Sequence, residues 1–293
     1  MTLHTVTSEI FTENQNTHIK FKNGSKSTFY ILYDIGFDAY RSIQIEALYV
    51  TDIVTHDSDN DLDVDRQKEG KLVLEHRVST KLQHVGLQVW RGALLLADYI
   101  LSNPDLFKDK TVLELGAGVG LTSIVASFLA DKVICTDVDV EGILKLIRKN
   151  FVRNSGYNKS KVLIKELDFL NLQWPTFLHK RIDEATIILA ADVIYDESIT
   201  EGFVLTLAKL FDSENPKAAY VALEKRYVFT TANMDTVAPM YEEFLKCIER
   251  QNLKWRIEYI KIDFPRYFKY DRVRHMILMK IENESGTIHV RVL

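Results

Sequence analysis

The sequence predicts an α/β fold built on a largely parallel sheet with helices on both faces. Three observations predict it. From Thr111 onward, short apolar runs alternate with segments of helical period. The apolar runs are flat, as strands covered on both faces are. The last two runs follow one another with no long helix between them, which implies an antiparallel hairpin at one edge.

Taken in order, Thr111 to Leu115 reads as a first buried strand that ends in glycines. Leu121 to Ala130 is helical, and Lys132 to Thr136 is a second strand. Val140 to Asn154 carries apolar residues at Ile143, Leu144, Ile147 and Phe151, a helix period. Lys161 to Leu167 and Thr186 to Ala191 are the third and fourth strands. A helix from about Ile199 to Phe211 precedes the fifth, Ala218 to Leu223. A helix from about Asp235 to Gln251 leads into the edge pair, Lys254 to Ile262 and Val273 to Ile281. That makes seven strands.

The chain ahead of this unit reads differently. Residues 1–26 are polar and patternless, and loose order is expected there. Residues 28–54 are richer in β-formers, with partial alternation over Thr28 to Tyr33, which predicts a few strands or a hairpin. An acidic run follows from Asp57 to Asp65. A calcium loop starting at Asp57 needs Gly at its sixth place and Glu at its twelfth; Leu62 and Lys68 stand there. The run is expected to be a solvated loop.

Composition narrows the function. The 293 residues are 46% hydrophobic and 27% charged, enough for a sizeable core. A net charge of −4 argues against holding nucleic acid by bulk phosphate neutralisation. Two cysteines, Cys135 and Cys247, with few histidines cannot build the usual structural zinc site, so no metal is expected. The most apolar stretch, Gly86 to Leu101, is too short to span a bilayer and is broken by Gln88, Arg91 and Asp98. No leader is visible at the N-terminus, and a soluble intracellular protein is the expectation.

The chemistry gathers at strand ends. Glu114-x-Gly116-Ala117-Gly118-x-Gly120 lies between a strand and a helix. Glycines there let the backbone turn sharply and approach a ligand closely. The helix beyond offers free N–H groups. A dinucleotide fingerprint needs its third glycine three residues after Gly118, where Leu121 stands. Glycines spaced by two after an acid resemble instead the first motif of S-adenosylmethionine methyltransferases. Asp137 ends the second strand, where a carboxylate accepts from a ribose diol; Asp139 is better placed to cap the next helix. Leu167-Asp168-Phe169 ends the third strand, where Asp168 can accept from an adenine amine and Phe169 can pack on the base. Ala191-Asp192-Val193-Ile194-Tyr195 ends the fourth, with Asp192 and Tyr195 able to face one centre. Adenine-amino methyltransferases carry a polar-Pro-Pro-aromatic motif at this place, and no proline is present here.

These motifs occur in order with Gln88-Val89-Trp90-Arg91-Gly92-Ala93. Together they resemble the seven-β-strand protein lysine methyltransferases, known as methyltransferase-like family 16. His76-Arg77-Val78, Val89 to Leu101 and Glu224-Lys225-Arg226 resemble the methyltransferase-like protein 22 subgroup in particular. The likeness covers about residues 74–285. It implies a Rossmann-like class I methyltransferase domain over residues 74–293 behind an N-terminal extension, 1–73. It implies S-adenosyl-L-methionine as cofactor, held by Trp90, Arg91, Glu114, Gly116, Ala117, Gly118, Gly120, Asp137, Asp168, Phe169 and Ala191. Arg91 is placed to meet the cofactor's carboxylate. Where the family usually has Trp, Phe169 keeps the apolar face and loses the indole donor.

The resemblance further implies a protein substrate modified on lysine, with Asp192 and Tyr195 as the catalytic pair. By analogy the subgroup points to a nuclear protein that itself binds nucleic acid, and to a nuclear or cytoplasmic monomer that contacts neither nucleic acid nor membrane directly. A lysine amine must arrive neutral, and an apolar channel helps by desolvation. Asp192 would raise its pKa, so Asp192 is expected to orient the amine while water takes the proton. Glu224-Lys225-Arg226 shares this rim and is expected to contact substrate or brace the Asp192 loop. Histidine or small-molecule methyl transfer, or a non-catalytic cofactor-binding scaffold, are the alternatives the sequence leaves open.

Overall fold

The computed structural model describes residues 5–7, 40–48, 55–56, 62–63, 69–77, 79–230 and 235–284. The N-terminal region contributes β1 (Thr5–Thr7), β2 (Tyr40–Leu48), β3 (Thr55–His56), β4 (Leu62–Asp63), β5 (Glu69–Arg77) and β6 (Ser79–Lys81). A 3₁₀ segment, Leu82–Leu87, leads to α1 (Arg91–Ser102) and α2 (Pro104–Phe107). Then come β7 (Thr111–Leu115), α3 (Leu121–Ala126), β8 (Lys132–Asp137), α4 (Ile143–Arg153), β9 (Lys161–Glu166) and α5 (Thr176–Asp183). They are followed by β10 (Ile187–Ala191), α6 (Glu197–Phe211), β11 (Ala218–Glu224), β12 (Val228–Thr230) and β13 (Asp235–Val237). The described chain closes with α7 (Pro239–Arg250), β14 (Trp255–Ile260) and β15 (Met276–Asn283).

Seven strands form one sheet in the order β14-β15-β11-β10-β7-β8-β9. β15 alone runs against the direction of the other six strands, so the expected edge hairpin is present. The flat runs bury both faces as their pattern requires. Ile187 and Leu189 enter one core with α1, α3 and α4. Ile188 and Ala190 enter the other with α5, α6 and α7. The chain steps from β7 outward to β8 and β9, then returns to β10 on β7's other side. This reversal opens a crevice at the carboxyl ends of β7 and β10, where ligands bind in open sheets of this kind.

Several boundaries differ from the sequence reading, each for a local reason. α3 stops at Ala126 rather than Ala130, because the Ser127 carbonyl turns out to accept from Lys159 N at 2.9 Å and Ser160 Oγ at 2.9 Å. α4 starts at Ile143, since Glu141 and Gly142 adopt φ of 54° and 73°. α7 starts at Pro239, since Asp235–Val237 pairs with Val228–Thr230 as a small hairpin. The sequence reading assigns no helix at α1, α2 or α5; Trp90 occupies the N-cap position of α1 without a side-chain capping bond.

Thr5–Thr7, expected to be loose, pairs with β6. The remaining expectations for residues 1–26, for Thr28 to Tyr33 and for most of the acidic run lie outside the described residues. β2 pairs with β5 along nine residues, and the boundary expected at 73/74 falls inside β5. That strand is stitched to α4: Asn154 exchanges bonds with the Val73 backbone at 2.9 Å each way, and Asn150 bonds Glu75 N and O at 2.8 and 3.0 Å. Among the described residues, no helix is long and apolar enough to cross a membrane, and no group of three His, Cys, Asp or Glu is placed to hold a metal.

Candidate active site

All three glycines of the β7–α3 loop take left-handed φ: 65° at Gly116, 56° at Gly118 and 88° at Gly120. L side chains rarely adopt these values, which is why the loop is built from glycine. At Gly118 the need is doubled. A Cβ there would lie 2.9 Å from the Gly86 carbonyl oxygen. The loop is pinned to the next strand. Ala117 N donates to Thr136 O at 2.9 Å, and Gly118 N to Asp137 Oδ2 at 2.7 Å.

The loop borders a cavity of about 1000 Å³, counting its open mouth. Trp90, Glu114, Gly116, Ala117, Gly118, Asp137, Asp168, Phe169, Ala191, Asp192 and Tyr195 all line it. Eleven of the thirteen residues named from sequence thus meet at one place. Gly120 does not line it; it turns the chain into α3 with its Cα packed toward Ile147. Arg91, expected at the cofactor's carboxylate, also stands back from it. Its Nη1 pairs with Glu224 Oε2 at 3.1 Å behind the rim, leaving it 5% exposed.

Two residues carry buried acidity. Glu114 is enclosed, and burial pushes its carboxyl up to about 8 against hydrogen bonds from Ser123 and Thr122. At neutral pH it is a neutral donor–acceptor strut under the loop. Asp137 is pushed up to about 7, chiefly by burial, against the amides of Gly118 and Val138. Asp168 Oδ1 accepts from Leu170 N at 2.9 Å, which fixes the turn after β9. The Phe169 ring lies between Gly116 and Phe203, 5.6 Å from the latter's centroid.

Across the crevice, Asp192 holds φ 53°, unusual for a residue with a side chain. Both carboxylate oxygens are engaged: Oδ2 accepts from Gly92 N at 2.6 Å and Oδ1 from Glu224 N at 3.2 Å. The carboxylate is therefore locked by the first turn of α1 and the end of β11. The expected bracing by Glu224 acts through its backbone, while its side chain holds Arg91. Tyr195 is pushed up to about 12 by burial and by the charges of Asp137 and Asp196, so it remains a phenol at neutral pH.

The sequence reading missed the near wall. Gln83 to Gln88 crosses the cavity beside the glycine loop, with Val85 O accepting from Trp90 Nε1 at 2.9 Å. Gly86 was its one sequence signal, a glycine between Val85 and Leu87.

The family model described as "Lysine methyltransferase" matches residues 68–251, more than half of the chain. The chain belongs to this lysine methyltransferase family. Methyltransferase-like protein 22 from Mus musculus is 38% identical over 73% of this chain and 59% of its own length. The Homo sapiens protein of that name is 37% identical over 73% of this chain and 58% of its own. Protein-lysine N-methyltransferase EEF2KMT from Mus musculus is 28% identical over 67% of this chain and 58% of its own. The matched region thus spans under two thirds of each relative's length. All residues of the cavity just described fall within the matched family region.

Proposed function

We propose that this chain is an S-adenosylmethionine-dependent protein-lysine N-methyltransferase. The observation that carries the reading is one cavity bordered on one side by the left-handed glycine loop and on the other by the doubly anchored Asp192. Family membership supports methyl transfer to lysine. The residues present fit the donor. The left-handed glycine loop brings bare backbone to the cavity wall, and Asp137 offers carboxylate lone pairs beyond its two backbone bonds. Asp168 and Phe169 supply an acceptor and an apolar face for the base. When bound, the donor supplies an electrophilic methyl on a sulfonium.

The chain's own residues supply position and electrostatics. Each Asp192 oxygen accepts one backbone N–H, which fixes the carboxylate in the crevice. The fixed carboxylate orients the incoming amine, and water removes the proton. Tyr195, held as a neutral phenol, lines the same cavity and is no base.

Calorimetry with S-adenosylmethionine tests the donor half. Wild type should bind, Asp137→Ala and Gly118→Val should bind poorly, and Asp192→Ala should bind as wild type does. No binding by wild type would sink the reading. The acceptor half is tested by the chemical identity of the residue that receives label.

A further inference from the structure

A second pocket adjoins the first, with Tyr195 lining both. Its remaining walls are Ile194, the end of β11 from Leu223 to Arg226, and the first turn of α7 at Pro239, Met240 and Tyr241. The centre of this pocket's chemistry is Lys225. Its Nζ stands 3.8 Å from the centroid of the Tyr241 ring and 6.0 Å from that of Tyr259, and the two phenol hydroxyls bond to each other. Among the described residues no carboxylate bridges Lys225; its neighbour Glu224 is taken by Arg91.

We propose that Lys225 receives an acidic side chain flanking the target lysine, making the pocket beside Tyr195 a specificity site for Asp or Glu next to the acceptor. The inference rests on the lysine-acceptor reading above. A segment that delivers a lysine to Asp192 and Tyr195 carries its next side chains past this pocket, since extended residues advance only about 3.4 Å each. What the pocket offers them is a half-buried ammonium held by rings rather than by a carboxylate. Burial alone draws that ammonium below the usual lysine range, with no acid nearby to hold it up. An arriving carboxylate would supply the missing counter-charge, and a partly desolvated pair of this kind discriminates between partners more than it adds raw affinity. Tyr195 joins the two pockets, so it would sense both the acceptor and its neighbour.

The test begins with labelled S-adenosylmethionine and cell extract, which yields the modified protein and its lysine. Acids within about three residues of that lysine, roughly 10 Å of extended chain, are then replaced in the intact substrate by Gln and by Lys. The full-length enzyme is used as wild type, Lys225→Met and Lys225→Glu. With wild type, the acid-to-Gln change should lower kcat/KM about tenfold, the effect of a partly desolvated charge pair. Lys225→Met keeps the ring contact and should show little of that difference. The acid-to-Lys substrate should be poor for wild type and recovered by Lys225→Glu, a rescue that a purely structural role would not produce. A modified lysine with no nearby acid would overturn the proposal. So would an equal loss with wild type and Lys225→Met, or label found on Lys225 itself. Label on histidine, nucleic acid or a small molecule, with no labelled lysine, would overturn this proposal and the lysine reading together.

Discussion

The Gly92 amide donates to Asp192 Oδ2 at 2.6 Å, and a Cβ on residue 92 would stand 2.5 Å from that same oxygen. The carboxylate occupies the space a side chain would need. The first turn of α1 thus sets the position of Asp192 from 100 residues away. Gly92→Ala should push the carboxylate out of place. Misplacement by about an ångström costs roughly 100-fold in transfer, while overpacking costs about 1–3 kcal/mol of stability. Single-turnover transfer and calorimetry check this together. Donor affinity should hold while transfer falls; unchanged transfer would show that the location of Asp192 does not matter.

Removing Asp192 itself separates its role from that of the glycine loop. Asp192→Ala loses the acceptor for two backbone amides as well as the group proposed to orient the amine. Each orphaned amide costs about 1–3 kcal/mol if it stays dry. Transfer should be abolished and donor affinity nearly intact, read by activity and calorimetry on the folded variant. Equal loss of binding and activity would defeat the assignment.

Two raised carboxyls set a pH dependence. Glu114 shifts from an ordinary 4.5 to about 8 and Asp137 from 3.8 to about 7 on folding. The folded chain therefore holds protons that the unfolded chain releases, and their contribution to stability is least unfavourable below about pH 4 and worsens up to about pH 8. Glu114→Gln should remove its share of that slope, raising Tm at pH 8 relative to wild type and leaving it similar at pH 4. Donor binding should move the other way. A ribose diol prefers ionised Asp137, so affinity should rise through pH 7 in wild type and stay weak and flat in Asp137→Asn. Titration calorimetry across pH 6 to 8.5 reads the slope, and a pH-independent wild type would remove Asp137 from this role.

Asp98 is a further buried carboxylate with a different task. It accepts from Tyr267 N at 2.7 Å, Phe268 N at 3.1 Å, Tyr270 Oη at 2.8 Å and Arg272 Nη2 at 2.8 Å. These bonds tie the connection between β14 and β15 onto α1. Removing one partner of a buried pair costs about 3–5 kcal/mol. Asp98→Ala should lose stability on that scale in urea unfolding, and a loss under about 1 kcal/mol would mean that solvent or relaxation replaces the pair.

Much of this architecture was legible because it is local. The flat runs at Thr111 and Thr186, the glycine spacing after Glu114, and the acids ending β8 and β10 all announce themselves within a few residues. What escaped depends on distant partners. Gln88, Arg91 and Asp98 looked like polar breaks in an apolar stretch. Each is in fact buried and paired, with Thr80 at 2.7 Å, Glu224 at 3.1 Å and Arg272 at 2.8 Å respectively. Arg91 was aimed at the cofactor because nothing near it in sequence reveals Glu224. The 3₁₀ wall at Leu82–Leu87 escaped because it has no regular period to read. The hairpin β12–β13 escaped because its second strand is only three residues long and merges into the pattern of α7.

The central claim is that the crevice between the glycine loop and Asp192 moves a methyl group to a lysine of a protein. Labelled S-adenosylmethionine, cell extract and the full chain, followed by mass spectrometry of the labelled product, test it most directly. The account predicts methylated lysine in protein, absent when Asp192→Ala replaces wild type. Labelled nucleic acid with no labelled protein would contradict it.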